Sequence, residues 1–464
     1  MTMQTDQQLL TELQDFRRRF PGIDHIYALL CDNNGVLRGK RLTLSELDEF
    51  FRHGRGVASS MLWLDITGKD IAHYDLVWQD GDSDRWCQPV PGTLTPAPWL
   101  GERYGQVLMT MFEPDGTPTP QDPRQVLNQV LQHFHALGLR PVVAAELEFY
   151  LVECERTPDG RIQPPKSPRT GERAQFIRGY EANEMEDFQQ FLTDVHDTAL
   201  AMGIPAETVI SEYGPSQFEV TLHHQDDALR AMDQAVLFKR VVKGVALKHG
   251  FIATFMAKPY AREAGSGLHV HMSLIDEAGN NVFADDAGAL DIGHGSPLLR
   301  HAIGGLAQHM AESMLLFGPH ANSYRRLRAG FYAPVNTAWG INNRTVSLRV
   351  PASSPAARRL EHRVAGADAN PYLALAGILA AVHAGLTARL DPGAPVEGDA
   401  SEQAIGSLPA HWMDAIDVFE ASDFIAHYFP AGFIETYVAT KRAEMWEFFG
   451  EVSPLDYDWY LRTV

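Results

Sequence analysis

The stretch Gly265-Ser266-Gly267-Leu268-His269-Val270-His271-Met272-Ser273 holds the residues best suited to chemistry. Two glycines bracketing a serine permit a tight backbone turn, and alternation then places His269, His271 and Ser273 on one face of a strand. Alone, a histidine pair at i, i+2 fits a hydrogen-bonded surface pair as well as a ligand beside a phosphate contact. Its company favours the second reading: carboxylates at Glu146, Glu148, Glu212, Glu219 and Glu361, and a dense set of arginines between Arg325 and Arg363. Many carboxylates with one imidazole suit Mg²⁺ or Mn²⁺ rather than a thiolate-seeking metal. Together they read as a metal and phosphate site.

The elements that must position these groups follow from periodicity. Val142 to Val152 alternates as a strand, with Glu146 and Glu148 pointing one way and Leu147 and Phe149 the other. Two glutamates on one face of an apolar strand are costly unless a cation or an arginine meets them. Ahead of this strand, Asp122-Pro123 starts a helix through Leu127, Val130, Leu131, Phe134 and Leu137, with Gly138 as its stop. Phe188 to Ala199, Asp226 to His249 and Pro371 to Ala388 show helical spacing, and their apolar stripes are read as core. Further upstream, Gln8 to Phe20 is a helix stopped by Pro21-Gly22. Ile26 to Leu30, the turn Asn33-Asn34-Gly35 and Val36 to Arg41 form a hairpin, and Ser45 to Phe51 is a helix. A strand at Gln106 to Phe112 completes a small α/β unit, and the Pro-, Asp- and Gly-rich run 114–123 marks the boundary.

Composition narrows the partners. The 464 residues exceed one ordinary core at about 150 residues per domain, and a hydrophobic content of 45% is enough to fill two or three. With 39 Lys+Arg against 59 Asp+Glu, the net charge of −20 repels nucleic acid and anionic membranes. Cys31, Cys87 and Cys154 are too few and scattered for a disulfide framework or zinc knuckle. The first residues lack the basic-then-apolar pattern of a signal, and no run approaches the ~18 apolar residues of a membrane span. A cytoplasmic protein with no nucleic-acid or membrane partner is expected.

Ordered motifs extend this reading. After Glu146/Glu148 come Ser211-Glu212-Tyr213-Gly214-Pro215-Ser216-Gln217-Phe218-Glu219, Lys258-Pro259 and the glycine-histidine stretch. Asn322-Ser323-Tyr324-Arg325-Arg326-Leu327, 343–351, Arg358-Arg359-Leu360-Glu361-His362-Arg363 and Ala369-Asn370-Pro371-Tyr372-Leu373 follow. In this series the chain resembles the glutamine synthetase family over nearly its whole length. The resemblance implies an α+β fold, with a small β-grasp-like domain at 1–115 and a large catalytic domain with a curved antiparallel sheet at 120–464. It implies a ligase in which ATP converts a carboxylate to an acyl phosphate, aided by two or more Mg²⁺ or Mn²⁺ ions.

By the same resemblance, Glu148, Glu212 and Glu219 hold the metal nearer the reacting carboxylate, and Glu146, His269 and Glu361 the one nearer the nucleotide phosphates. Arg326 and Arg363 clamp the amino-acid carboxylate, where a bidentate guanidinium suits better than lysine, and the Gly265 backbone approaches the glutamate. Arg344 meets the transferred phosphoryl, Arg349 and Arg359 contact ATP phosphates, and Glu207, His271 and Ser273 lie beside the nucleotide. Arg325 and Arg358, taken to sit in extended segments, face the other way and are structural.

Two departures bear on the nucleophile. Glutamine synthetases place an acid in the flap before Ala-Pro-Val, where this chain has Tyr332 after Phe331. They place an aspartate from the neighbouring subunit in a segment that matches Val57-Ala58-Ser59-Ser60-Met61, with Ala58 in its position. Both acids of the ammonium site are replaced, which resembles the γ-glutamyl-amine (polyamine, monoamine) synthetase branch. An amine pocket of Ala58, Trp63, Phe331 and Tyr332 is expected, and a monoamine with an apolar or aromatic tail is the preferred partner of glutamate. The alternatives are putrescine or spermidine, ordinary ammonia-using glutamine synthesis, and an inactive homologue, although inactive homologues lose metal ligands and this chain keeps them. The family also implies a homo-oligomer of hexameric rings, single or stacked as a dodecamer. The tyrosine adenylylated in bacterial enzymes has no counterpart in 390–409.

Overall fold

The computed structural model describes residues 3–71, 81–174, 177, 179–284, 296–331, 333–403 and 405–464. Two sheets organise them. The first holds six strands, β1 (His25–Cys31), β2 (Leu37–Thr43), β3 (Arg55–Ala58), β4 (Asp84–Pro89), β5 (Thr95–Pro96) and β6 (Tyr104–Phe112), in the order β2-β1-β6-β4-β3 with β5 on β6. The β1–β2 hairpin forms as the sequence predicts. Its turn is held by Asp32, whose Oδ1 accepts from the amides of Asn34 at 2.9 Å and Val36 at 2.8 Å. Strand β6 lies parallel to β1, and helices α1 (Met3–Arg19) and α2 (Leu44–His53) cover one face.

Alternation along β1 explains how this unit is seated. Ala28 and Leu30 enter the core shared with Leu13, Phe16, Leu47 and Phe50, while Leu29 and Cys31 point oppositely and join the larger core of the molecule. Cys31 and Cys87 are buried free thiols and Cys154 is an exposed one.

The second sheet follows the order β12-β13-β14-β11-β7-β9-β8, with β10 also paired to β7. Its strands are β7 (Arg140–Glu153), β8 (Ala206–Ser211), β9 (Gln217–Leu222), β10 (Phe251–Thr254), β11 (Leu268–Ile275), β12 (Trp339–Ile341), β13 (Leu348–Val350) and β14 (Leu360–His362). The sheet is curled, and all its pairings are antiparallel except β12 with β13. Behind it pack α3 (Pro123–Ala136), α4 (Ala182–Asp187), α5 (Gln189–Ala201), α6 (Ala228–Lys248), α7 (Pro297–His309), α8 (Met314–Phe317) and α9 (Pro371–Ala388). The Asp122 carboxylate caps α3 through the Arg124 amide at 2.8 Å, and its other oxygen accepts from Thr110 and Met111 of β6, which ties the two sheets together. Helix α9 is long and apolar enough to cross a membrane, but 78% of that window is buried inside the fold.

One strand parity builds the core and the other builds the site. Leu147 and Phe149 of β7, Val270 and Met272 of β11, Phe218 and Val220 of β9, Leu348 of β13 and Leu360 of β14 all join the core. Their chain neighbours Glu146, Glu148, His269, His271, Glu219, Arg349 and Glu361 therefore share the opposite face. A one-residue slip in any of these strands would bury charge in the core, so the hydrophobic pattern itself fixes the register of the polar groups.

The structure corrects two readings. Arg325 does not sit in an extended segment: Ser323–Arg325 is a 3₁₀ turn, which sends the Arg325 guanidinium to 5.7 Å from the Phe448 ring while Arg326 is buried. The sequence analysis also placed no strand at Arg55–Ala58, where the structure has the edge strand β3. Beyond α9, three further helices, α10 (Trp412–Glu420), α11 (Asp423–Tyr428) and α12 (Ala431–Gly450), were not foreseen, and a short helix α13 (Pro454–Tyr460) follows.

Candidate active site

The polar face of the second sheet opens into a cleft of about 720 Å³. Across the strands, His269 stands opposite Glu146, Glu148 opposite Glu219, and Glu361 opposite both His271 and Arg349. His269 Nδ1 lies 3.4 Å from Glu146, 3.9 Å from Glu219 and 3.8 Å from Glu361, and its Nε2 lies 3.7 Å from Glu148. Five of the six residues expected to hold metal thus come together, four carboxylates around the His269 imidazole. The sixth, Glu212, follows β8 and lines the same cleft.

Electrostatics favour a cation among these groups. Burial, with repulsion from Glu146, Glu148 and Glu212, pushes Glu219 up to about 10. Burial and Glu148 likewise push Glu212 up to about 7. Glu361 behaves oppositely: against the cost of burial, Arg363, His271 and His269 hold it down at about 2. Hydrogen bonds from His269 and His271 outweigh burial to hold Glu146 low as well. Crowded hard oxygens held together by the ladder, with two carboxylates driven toward protonation, form a donor set that fits a divalent cation of the Mg²⁺ or Mn²⁺ type. Two triads bring their donor atoms within 4.8 Å of one another: Glu146, Glu219 and His269, and Glu146, His271 and Glu361. His271, assigned to the nucleotide from the sequence, therefore also stands at ligand distance.

The arginines rim the cleft. Arg326 is buried, and its two terminal nitrogens donate to the carbonyls of Val364 at 2.8 Å and Arg363 at 3.1 Å, which fixes the guanidinium before any substrate arrives. Glycine is required beside it: a Cβ on Gly265 would lie 2.6 Å from Arg326 Cγ, and one on Gly267 would lie 2.7 Å from Arg326 Nη2. Arg363 pairs with Glu361, and Arg349 donates to Glu361 at 2.8 Å. Arg344 lies exposed in the turn between β12 and β13 and lines the cleft.

The remaining nucleotide candidates continue outward from Glu146. His271 Nε2 lies 2.8 Å from Glu146, and Arg359 donates to His271 Nδ1 at 3.3 Å. Glu207, exposed on β8, pairs with His223 at 2.6 Å and does not line the cleft. Ser273 is half-buried one pleat beyond His271.

The amine-pocket residues do not come together in one chain. Phe331 lines the cleft, with Lys258 Nζ 3.7 Å from its ring centre. Tyr332 lies outside the described residues. Ala58 ends edge strand β3, and Trp63 is buried in the first core beside a separate cavity of about 430 Å³. Neither reaches this chain's own cleft.

Sequence reasoning also missed part of the lining. Ile177, Tyr180 and Tyr213 expose apolar surface to the cleft, and Tyr180 holds a left-handed backbone at φ 62°. Gln217 donates to the Gly265 carbonyl at 3.0 Å and to Glu148 at 3.4 Å. Arg262 and Glu263 complete the wall between Lys258-Pro259 and Gly265. Tyr213, Gln217 and Glu263 flank or sit within the motifs already singled out, which was the available signal. Ile177 and Tyr180 lie in irregular chain that carries none.

The model of the glutamine synthetase catalytic domain matches residues 120–460, and the chain belongs to the glutamine synthetase family. Its relatives place it in the γ-glutamyl-amine synthetase branch, a group of ligases. It is 39% identical to the gamma-glutamylputrescine synthetase of Escherichia coli K12 over 452 residues, covering 97% of this chain and 94% of that protein. It is 32% identical over 464 residues to a glutamate–isopropylamine ligase of a Pseudomonas species, covering 96% of each. Among solved structures, ligand-free GmaS superposes with a TM-score of 0.83 at 29% identity, covering 97% of this chain and all of that one. Enzymes of this family use ATP and divalent metals.

Proposed function

We propose that the chain joins the γ-carboxylate of glutamate to an organic primary amine through γ-glutamyl phosphate. The observation that carries this reading is one cleft in which the carboxylate–imidazole cluster, the arginine rim and the aromatic flap residue Phe331 meet. In the first step the carboxylate oxygen bonds to the γ-phosphorus of ATP and ADP leaves. In the second the neutral amine's nitrogen bonds to the acyl carbon, the C–O bond to phosphate breaks, and the amine's proton leaves with the phosphate. Arg326 and Arg363 orient the glutamate α-carboxylate, while Arg344, Arg349 and Arg359 offset charge on the phosphates. Two or more Mg²⁺ or Mn²⁺ ions, held by Glu148, Glu212 and Glu219 and by Glu146, His269 and Glu361, would neutralise the transferring phosphoryl group. Glu207, His271 and Ser273 flank the nucleotide.

An alkylamine titrates near ~10.4, so about one molecule in a few thousand is neutral at pH 7. Ammonium sites meet that cost with carboxylates, but Ala58 and Tyr332 cannot. A partly apolar wall supplies desolvation, which disfavours the charged form. Ile177, Tyr180, Tyr213 and Phe331 offer such a wall, and taken by itself it suits a monoamine with an apolar or aromatic tail. A diamine or polyamine is the second reading, favoured by the 39% identity to a relative named for putrescine.

Because Ala58 and Trp63 lie away from their own chain's cleft, we propose that a neighbouring copy supplies that side of the pocket within hexameric rings, single or stacked. We also place the folding units at 1–115 and 120–464, and the enzyme in the cytoplasm. A phosphate-release assay with glutamate, ATP and Mg²⁺ will give rapid release with alkylamines and at least about tenfold less with ammonium at saturation. Equal turnover with ammonium would overturn the organic-amine assignment.

A further inference from the structure

The far end of the amine decides between the two substrate classes, and one side chain in the cleft bears on it. Glu263 lines the wall beside Phe331, yet its Oε2 is shielded from solvent and has no hydrogen-bond partner. A hidden carboxylate oxygen without a donor costs free energy and calls for an explanation. The other carboxylates of the cleft are engaged. Glu148 accepts from the Gly267 amide at 2.8 Å, Glu361 is paired with Arg349 and Arg363, and Glu146 with His271. Glu212 and Glu219 belong to the crowded cation cluster. Lys258 feels the Glu263 carboxylate electrostatically but forms no ion pair with it. Lys258 Nζ donates to the Glu263 backbone carbonyl and sits over the Phe331 ring, and no ion pair within 4.0 Å forms to Glu263 among the described residues.

The position matters as much as the free oxygen. Lys258 touches both the Glu263 carbonyl and the Phe331 ring, so Glu263 stands next to the flap side chain against which an amine's carbon tail would lie. It is not part of the cation cluster. Glu263 and Phe331 line the same cleft as the cation cluster, so a ligand reaching from that cluster along Phe331 would come beside Glu263. An apolar monoamine would leave that carboxylate unsatisfied, whereas a second ammonium would supply the missing donor.

We propose that Glu263 is a specificity-determining residue that receives the distal ammonium of an α,ω-diamine, which makes diamines rather than apolar monoamines the preferred substrates. This rests on the organic-amine ligase reading above. The test compares 1,4-diaminobutane with n-butylamine, which has the same carbon chain and no second charge, on the full-length enzyme with saturating glutamate, ATP and Mg²⁺. The wild type will show a kcat/KM ratio favouring the diamine. In Glu263→Gln, an isosteric change, that ratio falls by about 10- to 100-fold, carried by the KM for the diamine and not by kcat. Glu263→Asp, which keeps the charge on a shorter arm, restores part of the ratio. A Glu263→Gln ratio within about twofold of the wild type, or a loss carried by kcat for both amines alike, would overturn the proposal alone. Absence of phosphate release with every amine would overturn the ligase reading and the proposal with it.

Discussion

Glu148→Ala and Glu212→Ala will each abolish acyl-phosphate formation, with phosphate release falling at least about a thousandfold. Glu148 is buried, faces Glu219 across the ladder, and is aimed by the Gly267 amide and Gln217. Removing it deletes one hard oxygen donor and leaves negative charge on the phosphoryl group uncovered. The core-facing residues of β7 are untouched by either change, so the fold is expected to persist although Glu148→Ala takes an acceptor from the Gly267 amide and Gln217. His269→Ala will act mainly on the KM for ATP. Steady-state phosphate release, with circular dichroism to confirm the fold, is the measurement, and near-normal turnover in Glu148→Ala would contradict the metal assignment.

The second large effect is on stability. Helix α12 buries Lys441 and Glu444, one turn apart, beneath the hairpin turn of the N-terminal unit. Glu444 accepts from Lys441 at 3.0 Å, from Asn34 Nδ2 at 2.8 Å and from the Ile66 amide at 2.8 Å, and Lys441 also donates to Asn34. Glu444→Ala strands a fully buried ammonium and two further donors. A buried pair broken on one side costs about 3–5 kcal/mol. Chemical unfolding will show that loss, and limited proteolysis will show the segment around Asn34 and Ile66 cut first. A change below about 1 kcal/mol would contradict the role of this network.

The same network shows why part of the fold was hidden in the sequence. The buried residues of α12 are Phe433, Thr436, Tyr437, Val438, Thr440, Lys441, Glu444 and Met445, helical in spacing but half of them threonine, lysine or glutamate. Hydrophobic periodicity cannot reveal a face built from threonine, lysine and glutamate. Strand β3 was hidden for another reason, since four residues on a sheet edge give too short a pattern. Strands β7 and β11 were legible because residues 146–149 and 268–274 alternate, with apolar residues on the core side and glutamates, histidines or serine on the other. Helix α3 was legible at both ends through its Asp122-Pro123 start and the glycine that follows it.

The candidate site divides along the same line. Residues on ladder positions, such as Glu146, Glu219, His269 and Glu361, could be placed together from their parity and motifs. Residues on irregular chain, such as Ile177 and Tyr180, could not, because a loop carries no period from which a side chain's direction follows. Arg325 and Arg326 separate as expected, but a 3₁₀ turn and not an extended strand turns them apart.

On the proposed reading the nucleophile is an organic amine and not ammonium. The most direct test of that reading is competition: glutamate, ATP and Mg²⁺ with equal concentrations of ammonium and 1,4-diaminobutane, followed by mass-spectrometric measurement of both products. The γ-glutamylamide of the amine is expected to exceed glutamine by at least about tenfold, whereas glutamine in equal or greater amount would contradict the account.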